Sequence, residues 1–334
     1  MEFAGKSVNS FQVNGTDFSS KISEMRKDNR IFLSDSQLKV GENTMTVGFE
    51  NNYNNDSFGM VSTKDLDGQQ YLYIQTVPHY AHRITPMFDQ PNLKGVFDIS
   101  VAVPGKWHSI TTGDVVESSS IDKFYVSEAY NREKLFYTQS IAHCTKSGYL
   151  PVEDHFKVNV HAKTPLLASY LLNLVCGPFA KYDLAEEDRF ENIPMSIYCR
   201  ESLGAYVEAE KDNIFSFNKA GIKFYNNYFK FKYPYTRLDM AFCPEFAWGA
   251  MEYPGAITYS EALLPREQNS DSQKNHRGSI IFHEIAHMWF GNLVTMKWWD
   301  DLWLNESFAE FICHLAQHHS MKELETALKV ENPW

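Results

Sequence analysis

Hydrophobic and polar residues alternate in the first half of the chain. Phe97, Ile99, Val101 and Val103 alternate with Asp98, Ser100 and Ala102 before Pro104-Gly105 breaks the run, which predicts a half-buried strand and its turn. Tyr71 to Val77 is a shorter apolar run, Phe156 to Val160 alternates again, and Asn51 to Asp56 is a turn cluster. Short strands separated by turn residues predict an antiparallel sandwich or barrel-like region.

Beyond residue 188 the period changes. Met195 to Cys199 predicts one more strand, and Val207 to Phe229 carries Ile214, Ala220, Phe224, Tyr225 and Tyr228 at helical spacing. Tyr233-Pro234 ends that helix, because the residue before proline is pushed out of helical geometry. Arg237 to Phe242 predicts a strand. A second helix begins at the capping residues Ser270-Asp271-Ser272 and reaches Phe290 before Gly291-Asn292. A third spans Leu304 to His319, with Phe308, Phe311, Ile312 and Leu315 as its apolar stripe. Ser320-x-x-Glu323 is a capping-box pattern that predicts a further helix with Leu324 and Leu328 turned inward. The expected class is α+β, with a β-rich domain over 1–188 and a second domain over 189–334.

Composition narrows the function. The 334 residues carry 31 Lys and Arg against 42 Asp and Glu, a net charge of −11. A chain this acidic lacks the cationic excess that binds a phosphate backbone, so no nucleic-acid partner is expected. No apolar run is long enough to span a bilayer, and the opening residues have no signal-peptide core. Cys144, Cys176, Cys199, Cys243 and Cys313 form no C-x-x-C pair, which points to reduced thiols and a cytoplasmic protein.

His283-Glu284-Ile285-Ala286-His287 is the sharpest chemical signal. On a helix, residues four apart share a face, so both imidazoles can reach one metal while the intervening glutamate stays free as a general base. Catalytic zinc takes a third protein ligand and keeps one position open. Glu306, with eighteen residues between it and His287, lies on the next predicted helix, and antiparallel packing of the two helices would bring it opposite the histidines. The layout with a third histidine six residues on fails, because Phe290 and Leu293 occupy those places.

The segment His283 to Phe311 (HEIAHMWFGNLVTMKWWDDLWLNESFAEF) resembles the zinc-binding region of aminopeptidase N-type metallo-aminopeptidases, which are gluzincins. Gly249-Ala250-Met251-Glu252-Tyr253 is similar to that family's G-A-M-E-N motif, and Tyr80 to Phe97 to its substrate-side segment. The resemblance implies a saddle-like β-domain followed by a thermolysin-like catalytic domain. It implies one Zn²⁺ per chain on His283, His287 and Glu306, with Glu284 as general base. Glu252 would hold the free α-amino group of a peptide substrate, and Gly249, Ala250 and Met251 would line its backbone.

Three positions depart from the family pattern. The motif's asparagine is Tyr253, a second amine anchor is replaced by Val77, and no tyrosine follows Glu306 to stabilise an oxyanion. The missing tyrosine, together with a start short of the family's first β-strands, leads to an expectation of a chain truncated at both ends. The three departures leave open a weakly active or inactive homologue that acts as a binding module, with an epoxide hydrolase and an endopeptidase as further alternatives. Oligomeric state and side-chain preference are not legible. His314, His318 and His319 are expected on a solvated helix face rather than at a second metal, and Trp298, Trp299 and Trp303 in the core between the zinc helices.

Overall fold

The computed structural model describes residues 1–120, 146, 155–264, 266 and 270–328, the side chains of 321–323 and 325–328 excepted. Cys144 and the Leu328 side chain lie outside the described residues.

The first part is built from small antiparallel sheets. Met45–Glu50 and Thr16–Asp17 flank Ser7–Val13, and Phe156–His161 pairs on either side with Ser100–Pro104 and Val115–Ser120. A four-stranded sheet contains Gly59–Lys64, Gln70–Gln75, Val175–Gly177 and His108–Ile110. The predicted strands at 71–77, 97–103 and 156–160 therefore form, each within a few residues of its expected bounds.

The second part is a five-stranded mixed sheet with three long helices beside it. Its order is Ala180–Asp183, Met195–Cys199, Leu238–Cys243, Ala256–Ser260 and Ala250–Met251. The three central strands are parallel and both edges antiparallel. The central strands Met195–Cys199 and Leu238–Cys243 are buried at every position, as a sheet covered on both faces requires. The first helix, Gly204–Phe229, ends at Lys230 in the left-handed region (φ 55°), just ahead of Pro234.

Asp271–His287 opens on a complete capping box. The Ser270 hydroxyl accepts from the Gln273 backbone N–H, and the Gln273 side chain accepts from the Ser270 N–H at 2.9 Å. Its regular turns stop at His287, three residues short of the expected end, and a looser turn continues to Phe290.

The third long helix corrects three expectations. It runs unbroken from Leu302 to Leu328, so Ser320 opens no new helix. With no proline or glycine between Ser320 and Leu328, only a small propensity cost opposes continuation. Its buried stripe is Ala309, Ile312, Cys313 and Ala316, and Phe311 is exposed. Trp298 and Trp303 are exposed rather than core residues, while Trp299 packs edge-on against Tyr170. Leu324 is inward as expected.

The three helices pack with the central strands around one hydrophobic core that includes Ile197, Phe217, Met240, Ile285 and Ile312. A second core joins the four-stranded sheet (Tyr71, Tyr73, Val175) to the mixed sheet (Met251, Tyr253, Ala256), so the two parts share buried side chains.

Candidate active site

The helix Asp271–His287 presents His283 and His287 one turn apart, and Leu302–Leu328 brings Glu306 against them. The helices run antiparallel: His283 meets Glu310 and His287 meets Asn305, while nearer the start of the first helix Asn275 meets Gln317. The two Nε2 atoms lie 3.0 Å apart, and Glu306 Oε2 is 3.3 Å from His283 Nε2 and 3.6 Å from His287 Nε2. Three lone-pair donors thus converge on one point, the donor set and count of a catalytic zinc site.

Each imidazole is held from behind. His287 Nδ1 donates toward Asn305 Oδ1 (3.0 Å) and the Phe290 carbonyl (3.2 Å), which leaves Nε2 as the lone-pair nitrogen. His283 Nδ1 faces Glu310 Oε2 at 3.1 Å. Glu310 also meets His314 Nε2 at 3.1 Å, so His314 belongs to this outer ring of contacts. His319 stacks on Phe224.

The electrostatics call for positive charge. Burial opposes protonation of both imidazoles. The Cys313 and Glu306 contacts and the Glu284 charge nevertheless raise His283 to about 11, and the charge of Glu252 with the Glu306 contact raises His287 to about 9. Burial also opposes ionisation of Glu306, but its bonds to the two histidines hold the carboxyl well below its ordinary range. A divalent cation is the other way to supply that charge, and it suits these residues. Glu284 is buried, and burial raises its pKa to about 8 against the pull of His283 and His287. Its Oε2 is buried and has no hydrogen-bond partner among the described residues.

Glu252 lies just beyond the edge strand Ala250–Met251 and is 5% exposed. Its carbonyl accepts from Asn292 Nδ2 (2.7 Å), and its Oε1 lies 3.4 Å from Asn305 Nδ2. Asn305 therefore bridges Glu252 and His287. Sequence reasoning missed it, although it stands immediately before Glu306. Gly249 meets the same sheet through its carbonyl, which accepts from the Ser260 N–H. Met251 is buried in the second core.

Tyr253 is fully buried. Its hydroxyl donates to the Ile74 carbonyl (3.0 Å), accepts from the Thr76 N–H (3.3 Å) and lies 3.1 Å from Gln75 Oε1. The residue replacing the motif's asparagine thus fastens the 74–76 segment to the edge strand. Gln75 Nε2 is buried beside it with no partner among the described residues. Val77 lies in the same core.

Two family models match the chain. Residues 215–332 match the peptidase family M1 domain, and residues 2–132 match the peptidase M1 N-terminal domain. The chain is 33% identical over 289 residues to aminopeptidase N of Streptomyces lividans, covering 86% of this chain and 29% of that protein. It is 44% identical over 240 residues to a leucyl aminopeptidase of Saccharolobus solfataricus, covering 71% and 25%. Aminopeptidase M1 of Arabidopsis thaliana matches at 29% over 286 residues, covering 84% and 28%. The chain spans about a third or less of the length of these curated relatives. Among the described residues no helix is long and apolar enough to cross a membrane. With both M1 models matched in order and aminopeptidases as its relatives, the chain belongs to peptidase family M1.

Proposed function

We propose that this chain carries the catalytic centre of a zinc aminopeptidase that removes the N-terminal residue of peptides. The observation that carries the reading is the convergence of His283 Nε2, His287 Nε2 and Glu306 Oε2 beside the buried, unpartnered Glu284 Oε2. One Zn²⁺ on the three ligands would supply a Lewis acid that polarises the scissile carbonyl and acidifies a water molecule. Glu284 takes the proton of the attacking water at Oε2 and returns it to the leaving nitrogen.

Glu252 receives the substrate's α-ammonium through a charge-assisted hydrogen bond, which selects free N-termini. Gly249, Ala250 and Met251, on the sheet edge, align the peptide backbone as an added strand. Gln75 Nε2, aimed by the Tyr253 clamp, is a donor for a substrate carbonyl. In this reading, residues 1–188 form the β-rich substrate-side domain and 189–334 the zinc domain. The four described cysteines are buried and free, which supports a cytoplasmic setting.

The test is hydrolysis of a panel of fluorogenic aminoacyl amides by the zinc-loaded protein beside Glu284→Gln. Activity in the parent and a fall of about 10²–10⁴-fold in the variant, with zinc retained, is the expected result. A zinc-loaded parent that cleaves nothing, or a variant equal to it, overturns the reading.

A further inference from the structure

We propose that the first part of the chain holds a second divalent metal ion, of the zinc class, between Glu2, His79 and His82. This goes beyond the aminopeptidase reading and does not rest on it.

His79 precedes a short turn at Ala81–Arg83 and His82 lies within it, and their ring centroids lie 4.5 Å apart. Glu2 reaches them because its backbone bridges antiparallel to both Met87 and Arg30. Glu2 Oε2 is 3.1 Å from His79 Nε2, and one ligating atom from each of Glu2, His79 and His82 lies within 4.8 Å of the others. A tetrahedral zinc needs its ligand atoms about 3.3 Å apart, a contraction that side-chain rotation supplies.

The surroundings are those of a metal site rather than of a surface ion pair. Asp89, fully buried, lies behind His82: its Oδ2 accepts from the His82 N–H (3.0 Å) and faces Nδ1 at 2.8 Å, and its Oδ1 accepts from Ser169 Oγ (2.6 Å). A buried carboxylate that fixes the ring of a ligating histidine is the usual outer layer of a protein metal site. Arg30 Nε engages the other Glu2 oxygen at 3.1 Å, leaving Oε2 toward His79.

Two imidazoles with carboxylate favour Zn²⁺, Cu²⁺ or Ni²⁺ over the oxygen-seeking Ca²⁺ and Mg²⁺. His79 is 42% exposed in its side chain, which gives the ion an entry path and room for a water ligand. Bound there, the ion ties the start of the chain to the loop that follows Gln75 and Thr76.

The experiment is zinc analysis of the full chain after equilibration with Zn²⁺ and removal of loose ion. Two zinc ions are expected in the parent, one in His79→Gln/His82→Gln, one in His283→Gln/His287→Gln and none in the combined variant. A parent with a single zinc, lost only in the His283/His287 variant, overturns the second site and leaves the aminopeptidase reading standing. A single zinc lost only in the His79/His82 variant upholds the second site and sinks the catalytic assignment. As a check independent of the histidines, Glu2→Gln, at the chain's start, should weaken the second zinc by about tenfold or more in a chelator titration. An unchanged midpoint overturns the proposal.

Discussion

Between His287 and Glu252 stands Asn305, whose carboxamide oxygen accepts from His287 Nδ1 while its nitrogen faces Glu252 Oε1. One side chain thus orients the proposed metal ligand and the proposed amine anchor together. Asn305→Ala removes the acceptor that fixes the His287 tautomer. Zinc affinity should fall about 10–100-fold, measured by competition with a chromogenic chelator. Unchanged affinity would mean that the Phe290 carbonyl alone orients the ring. Glu252→Ala separates the second role. Cleavage of free-amine substrates should lose about 2–5 kcal/mol of transition-state stabilisation, read from kcat/KM, while zinc content stays the same. An equal loss on N-acetylated peptides would show that Glu252 does not recognise the amine.

The helices that carry His283 and Glu306, and the turn between them, depend on close packing at two glycines. Gly278 lies against Phe217 on the neighbouring helix, and an added Cβ would sit 2.6 Å from that ring's Cζ and 2.8 Å from its Cδ1. Gly278→Ala should cost about 1–3 kcal/mol of stability, seen as a lowered denaturation midpoint. No loss would show that the Phe217 ring can move aside. Gly291 has φ +129°, and a Cβ there would press on Asn305 Oδ1 and stand 3.1 Å from His287 Nδ1. The turn after Asp271–His287 is therefore tied to the same hydrogen-bond network as the proposed ligands.

At this scale much was legible in the sequence. Ser270 marks where the helix bearing His283 and His287 begins, and the spacing from His287 to Glu306 anticipates the antiparallel pair. What escaped depends on contacts between distant residues or on small rotations about a helix. Phe311 lies about 100° around the helix from Ile312, enough to move a large ring from the core to the surface. Glu2 and His79 are far apart in sequence, and the backbone ties of Glu2 to Met87 and of Ala4 to His82 bring the cluster together. Tyr253 reads as a defect in a motif until Ile74 and Thr76 are seen beside its hydroxyl.

Across the whole molecule, the β-rich part meets the part that carries His283, His287 and Glu306 through a shared apolar core pinned by polar ties. The Tyr253 hydroxyl holds the 74–76 segment, Lys94 Nζ donates to the Asn292 carbonyl at 3.2 Å, and Arg237 pairs with Asp114. Arg200 joins Asp65, at 2.6 Å, to Glu261. Burial pushes the Asp65 carboxyl up, but the Leu66 N–H, the Ser202 hydroxyl and the Arg200 charge together hold it below its ordinary value. A carboxyl whose folded pKa lies below its unfolded value stabilises the fold above about pH 4, and that contribution fades as pH falls through the folded value. Stability should therefore decline on acidification below about pH 4, and Asp65→Asn should flatten that decline while lowering stability at neutral pH. Denaturant midpoints measured from pH 3 to 7 would show it, and parallel curves for parent and variant would exclude Asp65 as a contributor. Tyr253→Phe supplies the pH-independent counterpart. It keeps the ring in the core but strands the buried Thr76 N–H and Ile74 carbonyl, at a cost of about 1–3 kcal/mol. Because Gln75 is released with them, KM for free-amine peptides should rise more than kcat falls. If stability drops with KM unchanged, Tyr253 only fastens the two parts together, and Gln75 has no hold on the substrate.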